Sequence, residues 1–154
     1  MAKYNNGLII MRAQPFHLGH ENMINHMLNE CDKIYILIGS AQESGTTRNP
    51  FTYGQRKQMI ENVYGVNDRI TIKPIADLGD YTRWANYIVC NLGFTPDAYY
   101  CGDDQDKALF ESIGINVVEF DRTELPISAT EIRETKNMNL INPSNIELVM
   151  GGLK

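Results

Sequence analysis

The 154-residue chain predicts an α/β fold: one doubly wound domain with a five-stranded parallel sheet and helices on both faces. Three observations lead there. Short β-branched runs alternate with segments of helical periodicity, and each crossover is long enough to hold a helix. The composition, 43% hydrophobic and 21% charged, is that of an ordinary globular domain rather than a disordered or fibrous chain. At this length a folded chain buries roughly 70% of the surface it exposes when unfolded, which is enough for one core without staples.

The elements follow in order. LIIM at 8–11 is a short apolar run and reads as the first strand; from 19 to 28, Met23, Ile24, Met27 and Leu28 fall at helical spacing. KIYILIG at 33–39 is β-branched enough for a strand buried on both faces, and 52–64 returns to helical periodicity through Met59, Ile60 and Val63. RITIKPI from Arg69 is the third strand, with Pro74 at its end, and 81–92 the third helix. DAYYCG from Asp97 is the fourth strand, 105–113 a helix, and INVVEF from Ile115 the fifth strand. A helical segment over about 128–150 closes a single domain spanning 1–154, with no repeat, linker or low-complexity stretch.

Nineteen acidic against fourteen basic residues leave a formal net charge of -5. That balance excludes a general nucleic-acid or membrane-surface binder, which needs a cationic field, but leaves room for a locally positive pocket. Cys31, Cys90 and Cys101 are odd in number, far apart and outside any CxxC pair, so neither a disulfide framework nor a structural zinc site is expected. No apolar run reaches the ~20 residues of a membrane span, and MAKYNNGLII lacks the apolar core of a signal peptide. A cytoplasmic location and a homo-oligomeric assembly are the expectations.

Doubly wound sheets bind ligands beyond the carboxyl ends of their strands, where the strand order reverses. After the first strand come Arg12, Ala13, Gln14, Pro15, Phe16, His17, Leu18, Gly19 and His20, a loop that ends at a helix start. There, unpaired backbone N–H groups and the helix dipole favour an anion, and imidazoles can donate to a phosphate oxygen. Gly19 lets the backbone come close, while Pro15 and Phe16 stiffen the turn. Two other readings stay open: that His17 and His20 are partly exposed helix-start residues, or that they bind a metal with Glu21.

Near the other end, ISATEIR at 127–133 places Ser128 and Glu131 in a capping-box frame, which accounts for a well-capped helix. It does not account for Arg133, which with the Ser128 and Thr130 hydroxyls can form a second anion cradle.

HLGH at 17–20 and ISATEIR at 127–133 together resemble the HxGH nucleotidyltransferase superfamily, whose fold is Rossmann-like. GSAQESGTTRNPFTYGQR at 39–56 is similar to the signature of the archaeal-type nicotinamide mononucleotide adenylyltransferases, some of which are fused to a Nudix domain; no Nudix part is present here. The resemblance runs from Leu8 through Arg133. It implies adenylyl transfer from ATP to nicotinamide mononucleotide, giving NAD and pyrophosphate by in-line attack of the mononucleotide phosphate on the α-phosphorus.

The same resemblance implies the site. His17, His20 and Arg133 would be catalytic; Arg12, Gln14, Phe16, Gly19, Gly102, Asp103, Ser128 and Thr130 would hold ATP, which brings Mg²⁺. Ser40, Arg48, Asn49, Asp77, Asp80 and Trp84 would hold the mononucleotide, with the indole stacked on the nicotinamide ring, although a lone tryptophan is also an ordinary core residue. Met11 and Ala13, Gly45, Tyr53 and the Cys101–Asp104 stretch depart from the family pattern, and none removes a group assigned to chemistry. An HxGH transferase with another phosphate acceptor, or a non-catalytic NAD or ATP sensor, would use the same groups.

Overall fold

In the computed structural model, which describes residues 2–101, 104–120 and 127–153, strands and helices alternate as the sequence predicts. The strands are β1 (Tyr4–Met11), β2 (Cys31–Ile38), β3 (Ile70–Pro74), β4 (Ala98–Cys101) and β5 (Asn116–Glu119). Between and after them come α1 (Leu18–Glu30), α2 (Tyr53–Tyr64), α3 (Trp84–Leu92), α4 (Asp104–Glu111), α5 (Ala129–Thr135) and α6 (Ile146–Gly152). All strand pairs are parallel, in the order β3-β2-β1-β4-β5. The order therefore reverses between β1 and β4, which opens a crevice beyond their carboxyl ends.

Alternation along the strands builds two cores. Ile9 and Met11 of β1 face one side, with Met23, Ile24 and Met27 of α1, Met59 and Ile60 of α2, and Ile132 and Val149 from the C-terminal helices. Leu8, one residue out of phase, faces the other side with Ala85, Ile88 and Leu92 of α3 and Phe110 of α4. The sheet is thus covered on both faces, and the segment after β1 emerges at its centre.

Some boundaries differ from the expected ones. β1 starts at Tyr4 because β2 follows α1 without a loop, and Tyr4 pairs with Cys31. This close pairing requires Gly7: a Cβ there would lie 2.6 Å from Cys31 Sγ. The helix expected from Tyr81 begins with a 3-10 turn, Tyr81–Arg83, capped by Asp80, and becomes α-helical only at Trp84. The helical segment expected over about 128–150 consists of two helices separated by 3-10 turns at Met138–Leu140 and Pro143–Asn145. Lys136 ends α5 in the left-handed region (φ 56°), and Pro143 has no N–H to continue a helix. In the Ser128 frame only half of the box forms, the Ser128 hydroxyl accepting from Glu131 N at 3.1 Å. Among the described residues no helix is long and apolar enough to cross a membrane, and Cys31, Cys90 and Cys101 form no disulfide.

Candidate active site

His17 is the N-cap of α1, and its Nδ1 accepts the Gly19 N–H at 3.1 Å. His20, at the third helical position, returns the bond: its Nδ1 accepts the His17 N–H at 3.1 Å. This is a capping box made from two imidazoles rather than a hydroxyl and a carboxylate. With Nδ1 accepting in both rings, the proton of each neutral imidazole lies on Nε2 as a donor. The rings stack, centroids 3.7 Å apart, and Phe16 stacks below His20 at 5.5 Å and 8°. A Cβ on residue 19 would stand 2.8 Å from His17 Cε1, so the HxGH frame needs glycine for space.

Arginines surround this pair. Arg133 Nη1 donates to the Gln14 carbonyl at 2.7 Å and its Nη2 to Thr130 Oγ1 at 3.2 Å, so the Thr130 hydroxyl aims the guanidinium. Arg12 Nη2 donates to Asn49 Oδ1, while its Nε is buried with no hydrogen-bond partner. Burial, and then the charge of Arg48, push the Arg12 guanidinium below its ordinary value, with Asp77 and Glu43 opposing. Arg133 is pushed down by burial and then by Arg12 and Arg48. Three cations that repel one another at one sheet edge form a site complementary to a polyanion.

These groups line one cavity of about 470 Å³. Arg12, His17, His20, Arg48 and Arg133 form its polar end, with Gly19, Ser128 and Thr130; Met23, Phe120 and Ile127 give it an apolar wall. A second, more open groove of about 840 Å³ continues past Arg48, Thr130 and Arg133.

The other predicted residues fall into distinct roles. Gln14 and Phe16 are 1% and 0% exposed. The Gln14 amide is spent on Phe51, donating to its carbonyl at 3.1 Å and accepting its N–H at 2.9 Å, so both residues brace the loop from below. Asn49 is also buried, and both ends of its amide are engaged, Oδ1 by Arg12 and Nδ2 with Glu43. Ser40 (φ 48°) donates to both Asp77 oxygens at 3.0 Å. Asp80 accepts from Thr82 N at 3.0 Å and Thr82 Oγ1 at 2.6 Å, and the hydroxyl bond, then the N–H bond and Arg83, lower its carboxyl pKa. Trp84 is half-buried at the margin of the second core, 5.6 Å from Tyr87, and lines neither cavity. Gly102 and Asp103 lie outside the described residues.

Glu43 and Arg56 were not among the residues the sequence singled out. Glu43 carries no local signal, since its role appears only when Asn49 folds beside it. Arg56 does carry one: it precedes Met59 and Ile60 by three and four residues, on the apolar face of α2.

Residues 12–135 match the cytidylyltransferase-like family. The nicotinamide-nucleotide adenylyltransferase of Methanococcus aeolicus is 41% identical over 133 residues, 82% of this chain and 74% of the relative. That of Archaeoglobus fulgidus is 33% identical over 132 residues, 79% of this chain and 74% of the relative. Among solved structures, a bifunctional NMN adenylyltransferase/ADP ribose pyrophosphatase from Francisella tularensis, complexed with AMP and a manganese ion, superimposes with a TM-score of 0.74 at 25% identity. It covers 96% of this chain, which spans only 48% of that longer protein.

Proposed function

Because the chain belongs to the cytidylyltransferase-like family, among the archaeal-type nicotinamide-nucleotide adenylyltransferases, we propose that it transfers the adenylyl group of ATP to nicotinamide mononucleotide, releasing pyrophosphate and forming NAD. One observation carries this reading: two stacked imidazoles with Nε2 donors stand at the start of α1 inside a ring of arginines, at the sheet's reversal point.

A 5′-phosphate oxygen of the mononucleotide attacks the α-phosphorus, the bond to the bridging oxygen breaks in line, and pyrophosphate carries the charge away. No side chain forms a bond. The work lies in bringing two anions together: unit charges 4 Å apart repel by about 4 kcal/mol at an effective dielectric of about 20. His17 and His20 donate from Nε2 to oxygens of the nucleotide. Arg133, aimed by the Gln14 carbonyl and Thr130, holds the departing phosphates, and the unpartnered Arg12 Nε supplies a donor where the substrates meet. Arg48, shared by cavity and groove, neutralises the incoming phosphate. The Phe120 and Ile127 wall suits the face of a base. In this account Trp84, with Asp77 and Asp80 nearby in sequence, meets the nicotinamide ring from the β3–α3 side.

A divalent ion, Mg²⁺, further neutralises the phosphate oxygens when bound. Among the described residues no three His, Cys, Asp or Glu side chains cluster to hold one, so in this reading the ion arrives on the nucleotide.

ATP made stereospecifically with sulfur at the α-phosphorus tests the reaction and its course together. Incubation with nicotinamide mononucleotide is expected to give thio-substituted NAD of inverted configuration. Retention would mean a covalent intermediate, and binding of both substrates without product would mean a sensor.

A further inference from the structure

Among the described residues Arg56 is the largest fully buried side chain, at 0% exposure. Among the described residues no carboxylate lies within ion-pairing distance of it. Its guanidinium is solvated by backbone instead. Nε donates to Thr52 O at 3.2 Å, Nη1 to Arg12 O at 3.0 Å and Gly39 O at 2.8 Å, and Nη2 to Ser40 O at 3.3 Å.

Three of those four carbonyls stand at the carboxyl ends of β1 and β2. One immediately precedes Ala13 (φ 52°) and another belongs to Ser40 (φ 48°), two non-glycine residues in the left-handed region. Such backbone persists only where its surroundings over-determine it, and here a single planar fork ties both turns together. Arg12, which carries the unpartnered Nε donor, leaves the chain at one of the bonded carbonyls. The carbonyl dipoles replace water but do not cancel the charge, and Arg56 and Arg12 repel each other across the strand end.

We propose that Arg56 is a positioning residue of the anion site. From beneath the floor it locks the turns after β1 and β2 that aim Arg12, and it lends the site an unneutralised positive charge that no substrate touches. The inference rests on the adenylyltransferase reading only for its kinetic arm. The two contributions separate by substitution: Arg56→Lys keeps the charge and loses the fork, whereas Arg56→Met loses both.

The test combines thermal unfolding, calorimetric binding of inorganic pyrophosphate, and steady-state NAD formation. For Arg56→Lys, pyrophosphate affinity is expected to stay within about threefold of wild type while kcat falls about tenfold or more, because charge remains and alignment is lost. For Arg56→Met, measured at a temperature where it is folded, affinity falls about tenfold as well. Wild-type kcat in Arg56→Lys overturns the positioning role, and this variant suffices should Arg56→Met not fold. Wild-type pyrophosphate affinity in folded Arg56→Met overturns the electrostatic role. If wild type binds pyrophosphate but forms no NAD, the function assigned above fails while the binding comparison still decides the role of Arg56.

Discussion

Each imidazole of the HLGH loop gives Nδ1 to the backbone and keeps Nε2 as a donor, so the same bonds that start α1 also fix the tautomers that the proposed reaction calls for. Gly19 protects this arrangement. Gly19→Ala places a methyl group 2.8 Å from His17 Cε1, and turnover is expected to fall about a hundredfold with the fold retained; an unchanged rate would show that the ring position is immaterial. Glu21, one residue beyond the motif, has a buried oxygen without a partner, and burial lifts its carboxyl above the ordinary range against the pull of Asn142. The folded chain therefore keeps this proton at pH values where the unfolded chain has lost it, and stability declines as pH rises through that interval. Glu21→Gln removes the decline, so its unfolding temperature should gain on wild type from acid to neutral pH; parallel profiles would contradict the shift. At this scale the sequence singled out residues that the fold gathers at one cavity, but not which of them pair. Asn49 and Gln14 look like ligand-binding amides in a motif, yet folding spends them on Arg12, Glu43 and Phe51, partners up to 37 residues away.

The elements were legible wherever periodicity was undisturbed. The β-branched runs and the 3.6-residue spacing located every strand and α1 to α4, because burial on one face or both leaves its period in the sequence. The C-terminal segment was not legible as two helices, since Lys136 adopts a left-handed conformation that nothing local demands. Caps and close approaches set what single elements tolerate. Thr52 and Gln55 form a reciprocal box at the start of α2, which presents Arg56, so Thr52→Ala should cost about 1 kcal/mol in denaturant unfolding. Gly7→Ala forces a Cβ to within 2.6 Å of Cys31 Sγ in the middle of the β1–β2 pair and is expected to cost about 1–3 kcal/mol. No loss of stability in Gly7→Ala would mean the strands are not packed as closely as described.

Across the whole molecule a net charge of -5 coexists with Arg12, Arg48, Arg56 and Arg133 gathered at one edge of the sheet. Overall repulsion of polyanions and local attraction of a few phosphates are compatible because screening confines each to about 10 Å at ordinary salt. The apparent KM for ATP should thus rise with ionic strength. The central question is what this cavity does with two nucleotides. The most direct measurement is coupled, steady-state NAD formation from ATP and nicotinamide mononucleotide by wild type and by His20→Ala. Steady turnover in wild type is expected, reduced roughly 10²–10³-fold in His20→Ala at a nearly unchanged unfolding temperature. Equal rates in the two proteins, or no NAD from wild type, would contradict it.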